Sequence, residues 1–256
     1  MDFYAIKVGS ILVTKEDGRV DREFILNLCR QAAKIIRQGD YVFIVSSGAI
    51  ACEPDKRMSE NLRAVIGQAC LIMDYQGFLQ PFGIKAGQLL VTDVDLEHPR
   101  VIQKVLLEAA KFSVVMIINE NDGTSDKEIK RMKTFADNDE LVMNISLLPE
   151  IKKKLKGVII GIDKSGVLDA EGTKINMVKE GELEKILTYA KGGNKVGRGS
   201  NGARTKFEVS SKLAKSGIPV ILAPGRENDF VLRAIDRLKG EGEDDFGTLF
   251  EPSGGF

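Results

Sequence analysis

Apolar residues recur along the chain with two periods, and these periods predict alternating strands and helices. Helices are predicted where apolar positions are spaced three and four residues apart, over residues 21–38, 59–80, 99–111, 137–148, 183–190 and 204–215. Short apolar, β-branched runs predict buried strands, and residues 166–178 have the turn chemistry of a hairpin. The predicted strands lie over residues 3–13 (with a break at a glycine turn at Gly9-Ser10), 41–45, 84–92, 114–118, 157–162, 218–222 and 247–250.

Strands and helices that alternate at this spacing indicate crossover connections between parallel strands. We therefore predict an α/β fold, a three-layer sandwich in which helices cover both faces of a mainly parallel central sheet. No change in composition marks a linker. We expect a single domain over residues 1–256, with two lobes that meet near residue 150.

Charge and composition exclude several classes of function. The 256 residues contain 37 Lys and Arg against 37 Asp and Glu, so no global field attracts nucleic acid or an anionic membrane. We expect neither as a partner, and the N-terminus has no signal layout, which favours a cytoplasmic protein. The three cysteines are too widely spaced for a cysteine zinc site, and the one histidine, His98, fits a solvated helix entry.

Polar residues follow several of the predicted strands at the point where each strand ends. They are Gly9-Ser10, Ser46-Ser47-Gly48, residues 119–122 (Asn-Glu-Asn-Asp) and Asp163. In open parallel sheets, ligands bind where strands end and helices begin. Each group alone is typical of a turn or helix cap, but their coincidence on one edge of the sheet predicts a site for a polar ligand.

Two lysines occupy positions that disfavour them unless an anion is near. Lys7 lies inside an otherwise apolar strand, and Lys206 lies in the first turn of the helix predicted from Arg204, where the helix dipole repels cations. The glycine-rich residues 192–202 free backbone N–H groups for a phosphate. Residues 197–202 also match Gly-x-Gly-x-x-Gly, but a predicted helix precedes them, which argues against a Rossmann dinucleotide site.

A set of motifs, in order along the chain, resembles the glutamate 5-kinase branch of the amino acid kinase family. The resemblance implies transfer of the γ-phosphoryl group of ATP, with Mg²⁺, to the side-chain carboxylate of glutamate, the first step of proline biosynthesis. Residues of about 1–150 would form the acceptor lobe and about 151–256 the nucleotide lobe. The motifs are Lys-Val-Gly-Ser (7–10), Val-Ser-Ser-Gly-Ala-Ile (45–50), Gly-Gln (67–68), Gly-Gln-Leu-Leu-Val-Thr (87–92), Ile-Asn-Glu-Asn-Asp (118–122), Asp-Asn-Asp (137–139) and Gly-Thr-Leu-Phe (247–250).

The resemblance also implies roles for individual residues, while the metal ligands stay unassigned. Lys7 and Lys206 would stabilise the transferring phosphoryl group, and Asp139 would orient both lysines. Glutamate would contact Ser47, Gly48, Ala49, Asp122 and Asn138. The nucleotide would contact Lys7, Gly9, Ser10, Asp163, Ser200, Asn201, Gly202, Ala203, Arg204, Thr205 and Lys206.

Two alternatives stay open at this point. One is another kinase of the same superfamily with a different carboxylate or phosphate acceptor, and the other is a non-catalytic sensor of nucleotide or amino acid. Ile162 and Asn201, which depart from the family pattern, favour the sensor. The resemblance further implies a homo-oligomer and γ-glutamyl phosphate reductase as a partner. Because the chain ends just after Phe250, we expect it to lack the C-terminal PUA domain of many relatives.

Overall fold

An eight-stranded sheet lies at the centre of the computed structural model, which describes residues 1–123, 138–182 and 200–254. The strand order is β3-β4-β2-β1-β5-β9-β10-β8, and every neighbouring pair is parallel except β9 and β10. A separate antiparallel pair, β6 and β7, forms the hairpin predicted within residues 166–178. The strands are β1 (Phe3–Val8), β2 (Tyr41–Ser46), β3 (Lys85–Val91), β4 (Val114–Glu120), β5 (Leu155–Ile162), β6 (Val167–Leu168), β7 (Lys174–Ile175), β8 (Met177–Val178), β9 (Val220–Pro224) and β10 (Thr248–Phe250).

Helices cover both faces of this sheet. None of the helices in the described residues combines the length and apolar character that crossing a bilayer needs. The helices are α1 (Ser10–Val13), α2 (Arg22–Arg37), α3 (Ala49–Cys52), α4 (Glu60–Leu79), α5 (Asp93–Glu97), α6 (Arg100–Lys111), α7 (Asn138–Ser146), α8 (Pro149–Lys152), α9 (Ser200–Lys215) and α10 (Phe230–Leu238), with short 3₁₀ turns at Gln80–Phe82 and Glu180–Glu182.

The alternation of side chains along the central strands divides the apolar residues into two cores. Phe3 and Ala5 of β1 face the first core together with α6, α7 and α9. Tyr4 and Ile6 face the second core together with α2, α4 and α10. Every residue of β1 is buried, as expected for a central strand with helices on both sides. This arrangement confirms the predicted three-layer α/β sandwich, whereas the division into two lobes stays a prediction.

Helix starts agree closely with the sequence signals. The Asp21 side chain accepts a hydrogen bond from the Phe24 N–H at the start of α2, and the Ser59 side chain accepts one from the Leu62 N–H at the start of α4. Each side chain satisfies one of the N–H groups that a helix leaves without an internal partner. Both residues are the predicted first residues of these helices.

The short helices α3, α5 and α8 were not predicted, and three further elements differ from the prediction. The strand predicted over residues 3–13 ends at Val8, and residues after Gly9 form the one-turn helix α1. The helix predicted from Arg204 begins four residues earlier, at Ser200. Helix α10 was missed, although Val231, Ala234, Ile235 and Leu238 have helical spacing. The helix predicted over residues 183–190 lies outside the described residues.

Candidate active site

Two lysines from distant parts of the chain meet on one buried carboxylate. Lys7 Nζ lies 2.6 Å from Asp139 Oδ1, and Lys206 Nζ lies 2.9 Å from Asp139 Oδ2. The Lys7, Asp139 and Lys206 side chains are 5%, 0% and 19% exposed. We call these three residues the charged cluster. The predicted convergence of the two lysines is therefore present in the structure.

The positions of the three residues in the fold explain this meeting. Lys7 has the same parity as Phe3 and Ala5 in β1, so its side chain emerges on the sheet face that α7 and α9 cover. Asp139 lies in α7 and Lys206 in α9, and these two helices pack against each other. The charged cluster carries one net positive charge at a largely buried position, which suits the binding of an anion.

Lys206 lies one turn deeper in its helix than the sequence analysis predicts. Because α9 begins at Ser200, Lys206 occupies its second turn rather than its first. The field of a helix terminus fades within about one turn, so repulsion by the helix dipole is weaker at Lys206 than expected. The ion pair with Asp139, rather than a phosphate at the helix start, accounts for the lysine at this position.

Gly9 leaves the space that the Lys7 ammonium group occupies. A Cβ atom at this position would lie 3.1 Å from Lys7 Nζ. Gly9 also caps α1, since its carbonyl oxygen accepts hydrogen bonds from the N–H groups of Leu12 and Val13. The residue after Gly9, Ser10, lines a neighbouring cleft. Gly9 thus adjoins the charged cluster and Ser10 adjoins the cleft, while their contacts with a nucleotide stay predictions.

A network of amide and hydroxyl groups adjoins the charged cluster. Asn138 Nδ2 donates to Ser47 Oγ and to Asn119 Oδ1, both at 2.9 Å. Asn119 is almost fully buried near the end of β4, and Asn138 directly precedes Asp139. These bonds join the ends of β2 and β4 to α7, so the polar strand ends meet as predicted.

A cleft of about 400 Å³ opens beside this network. Its volume lies within the range of small-molecule sites, ~300–1,000 Å³. All five residues predicted to bind the acceptor contribute to its wall. The predicted residues that line it are Ser10, Ser47, Gly48, Ala49, Asp122 and Asn138.

The one-turn helix α3 forms part of the cleft wall and depends on two glycines. Gly48 precedes α3 with φ of +115°, a left-handed conformation that glycine adopts without strain. A Cβ atom at Gly67 of α4 would lie 1.8 Å from the Ala49 carbonyl oxygen. Only glycine at position 67 therefore lets α4 pack this closely against α3.

The sequence model described as the amino acid kinase family matches residues 2–224 of this chain. The chain belongs to the amino acid kinase family. It is 34% identical over 267 residues to a Glutamate 5-kinase from Dehalococcoides mccartyi (strain CBDB1), a match that covers 97% of this chain and 68% of that protein. It is 36% identical over 252 residues to a Glutamate 5-kinase from Methylibium petroleiphilum, covering 90% of this chain and 64% of that protein.

Solved structures also place the chain in the fold of this family. A UMP kinase from Bacillus anthracis matches with a TM-score of 0.60 and 12% identity, covering 100% of this chain and 98% of that one. A carbamate kinase from Giardia matches with a TM-score of 0.62 and 15% identity, covering 98% of each chain. At these identities the likeness concerns the fold alone. The chain spans about two thirds of the length of the curated relatives named above.

The structure describes only part of the region where the sequence predicts a nucleotide. Asp163 directly follows β5 at the sheet edge where Lys7 lies, and it is exposed. Arg204 pairs with Glu208 at 2.7 Å on the exposed side of α9. The backbone of residues 200–202 is described, but the side chains of Ser200 and Asn201 are not, and Asp137 lies outside the described residues. The nucleotide roles of Asp163, Ala203, Thr205 and residues 200–202 stay predictions.

Burial makes two neighbouring groups chemically inert near neutral pH. Burial raises the pKa of the Cys52 thiol, at the end of α3, to about 12, so this thiol stays protonated. Burial also raises the pKa of the Tyr75 hydroxyl group, which lies 2.8 Å from Ser46 Oγ behind the site. Neither group is therefore suited to act as a nucleophile near neutral pH.

Two residues of the site were not predicted individually. Asn119 was predicted only as one of the polar residues at strand ends, although it accepts a hydrogen bond from Asn138. Arg63 of α4 lines the cleft, and nothing in the sequence distinguishes it from other charged residues on helix surfaces. The close approach of α3 to α4 brings Arg63 into the site, and this approach becomes visible only in the folded chain.

Proposed function

We propose that this chain transfers the γ-phosphoryl group of ATP to the side-chain carboxylate of glutamate. The observation that carries the proposal is the meeting of Lys7 and Lys206 on Asp139 beside a polar cleft. Relatives at 34% and 36% identity carry the name Glutamate 5-kinase, which supports glutamate as the acceptor.

The acceptor needs no general base in this reaction. A glutamate side-chain carboxylate has an unperturbed pKa of about 4.3 and is ionised at neutral pH. One of its oxygens attacks the γ-phosphorus, the bond to the β,γ-bridging oxygen breaks, and ADP leaves with that electron pair. Two anions must approach each other in this step, so the rate depends on positioning and on positive charge.

The charged cluster supplies that positive charge in a fixed geometry. Lys7 and Lys206 would offset the charge on the γ-phosphoryl oxygens as the phosphorus moves between carboxylate and ADP. Asp139 holds both ammonium groups before the substrates arrive, which lowers the reorganisation required during the reaction. The acceptor would lie in the cleft, with its α-ammonium group near the Asp122 carboxylate and its side chain near Ser47 and Asn138.

Magnesium would enter this site as part of the Mg–ATP substrate, where it neutralises phosphate charge. The described residues contain no group of three His, Cys, Asp or Glu side chains that could hold a metal ion. Asp139 is engaged by two lysines. The donor set therefore does not fit a resident metal, and we derive no step through a protein-bound ion.

Trapping the acyl phosphate tests the proposed function. The chain is incubated with Mg–ATP, glutamate and hydroxylamine, and the hydroxamate is measured beside parallel reactions with aspartate and N-acetylglutamate. We expect hydroxamate with glutamate only. Product with another acceptor would favour a different kinase of the superfamily. ATP binding without ADP release on any of the three would favour a sensor. Either result would overturn the proposal.

The proposed function also leads us to expect an oligomeric state, a partner enzyme and a cellular location. A homo-oligomer, γ-glutamyl phosphate reductase as the consumer of a labile acyl phosphate, and a cytoplasmic location all fit a biosynthetic kinase. Size-exclusion chromatography with light scattering checks the oligomeric state directly.

A further inference from the structure

The cleft wall presents one positive and one negative side chain. Among the described residues that line the cleft, Arg63 is the one cation and Asp122 the one carboxylate. The other described lining residues are neutral. An acceptor amino acid also carries one ammonium and one carboxylate group on its α-carbon, so the charges of the wall and of the ligand are complementary.

Arg63 is held in place at the cleft by two backbone carbonyl groups. Its Nε donates to the Glu53 carbonyl oxygen at 2.7 Å, and its Nη2 donates to the Ile50 carbonyl oxygen at 3.0 Å. The side chain is half-buried. A guanidinium group has five N–H donors in a rigid plane, so two bonds orient it and leave further donors for a ligand.

The backbone of Asp122 is hydrogen-bonded to the same part of α4. The Asn61 side-chain Nδ2 donates to the Asp122 carbonyl oxygen at 2.8 Å. Asn61 lies two residues before Arg63 in the first turns of α4. The two charged residues of the wall are thus positioned by one helix end rather than by two independent loops.

We propose that Arg63 binds the α-carboxylate of the amino-acid acceptor and selects for acceptors that carry one. The inference rests on the proposed function and adds to it a residue that determines specificity. Transfer of an α-carboxylate from water into the cleft is costly unless a cation pairs with it, and planar N–H donors match its two oxygens. Asp122 would face the neighbouring ammonium group, so a zwitterionic acceptor satisfies both charges at once.

The test compares two acceptors that differ only in the α-carboxylate. 4-Aminobutyrate is glutamate without that group, and it can be measured as a substrate or as a competitive inhibitor. We expect Arg63→Met to raise the KM for glutamate by about 10- to 100-fold, the range for losing a charged hydrogen-bonded pair. The KM or Ki of 4-aminobutyrate should change less than about threefold, and KM for ATP should not change.

Two further variants separate recognition from support of the cleft wall. Arg57→Met removes an exposed arginine of the α3–α4 connection that pairs with Asp55, and it should behave as wild type. Arg63→Lys keeps the positive charge. It should bind glutamate more tightly than Arg63→Met does, with no such gain for 4-aminobutyrate. If Arg63→Met weakens the binding of glutamate and of 4-aminobutyrate equally, Arg63 only holds α3 in position and the inference is wrong.

The proposed function fails separately from this inference. Failure of the proposed function would appear as no hydroxamate from wild type with glutamate. If wild type is active and Arg63→Met has the same affinity for glutamate, only the role of Arg63 is contradicted, and the proposed function stands.

Discussion

Asp139 decides the electrostatics of the site because each of its carboxylate oxygens faces a different lysine. A fully buried carboxylate is unfavourable unless cations pair with it, and the two ammonium groups would repel each other without it. Each member of the charged cluster therefore stabilises the others. The cluster keeps one net positive charge, which a phosphate can neutralise.

Asp139→Asn removes the charge and keeps the shape of the side chain. We expect the free energy of unfolding to fall by about 3–5 kcal/mol, the range for breaking a buried ion pair by removing one partner. Phosphoryl transfer should fall with it, since the two lysines lose their fixed positions. Urea unfolding followed by circular dichroism measures the first effect.

The control for this change is Asp236→Asn, which neutralises an exposed aspartate of α10. Its stability should stay within about 0.5 kcal/mol of wild type, as for most surface substitutions. Equal stability of the Asp139→Asn protein and wild type would contradict the account of the charged cluster.

The sequence predicts these residues to different extents. Lys7 can be identified from the sequence, because a charged side chain within an apolar strand is unfavourable unless an opposite charge lies near it. Asp139 is assigned only through the resemblance, because a carboxylate near a helix start is ordinary. Arg63 gives no signal at all, since a charged residue on an amphipathic helix is expected to face water.

At the scale of elements, the contact between α3 and α4 shapes the acceptor side of the cleft. Gly67 faces the Ala49 carbonyl group at a distance that leaves no room for a methyl group. Arg63, one turn earlier in α4, donates hydrogen bonds to the carbonyl groups of Ile50 within α3 and Glu53 just after it. α3 is too short to be stable alone, so α4 fixes its position.

Gly67→Ala should therefore displace α3. A Cβ atom 1.8 Å from a backbone oxygen forces a shift, and overpacking of this kind costs about 1–3 kcal/mol. We expect a lower midpoint of urea unfolding and a higher KM for glutamate, with KM for ATP little changed.

Gly77→Ala in the same helix is the matched control. A Cβ atom there meets no heavy atom within 4 Å, so alanine should stabilise α4 by about 0.5–1 kcal/mol. If both variants gain stability, α3 and α4 do not pack as the structure shows them.

Elements were predicted well wherever they are long and periodic, as α2 and α4 show. The apolar residues after Gly9 favour a strand by composition, yet they form α1 because the Leu12 side chain packs against glycines of neighbouring strand ends. A Cβ atom at Gly161 or Gly225 would lie within 2.7 Å of Leu12 Cδ1. Such a tertiary contact has no local signature in the sequence.

At the scale of the whole molecule, the sheet buries polar groups deep between its helices. Cys29 of α2 is fully buried in the second core, and burial raises the pKa of its thiol from the ordinary value of 9.0 to about 12. In the unfolded chain the thiol ionises near pH 9. The stability from keeping this thiol neutral is therefore complete below pH 9 and is lost as pH rises towards 12.

Wild type should lose stability between pH 8 and pH 10.5. The loss should be smaller by about 2 kcal/mol in Cys29→Ala, because the alanine side chain does not ionise. Urea unfolding at the two pH values measures the difference. Cys29→Ser should show the same reduced loss, since its hydroxyl group does not ionise in this range. Variants that lose as much stability as wild type would contradict the buried position of Cys29.

The same architecture assembles the charged cluster, since its members come from β1, α7 and α9. Lys206 lies 67 residues after Asp139 in sequence, and the two meet only because α7 and α9 pack on one face of the sheet. The proposed function requires that this convergence serves phosphoryl transfer.

The turnover of Lys206→Ala in the hydroxamate assay shows whether the charged cluster takes part in that transfer. Lys212→Ala, on the exposed surface of the same helix, is the control. We expect kcat to fall by about 10²–10³ in Lys206→Ala, the scale for losing one charged transition-state contact, and to stay unchanged in Lys212→Ala. Equal kcat values for Lys206→Ala and wild type would contradict a role of the charged cluster in phosphoryl transfer.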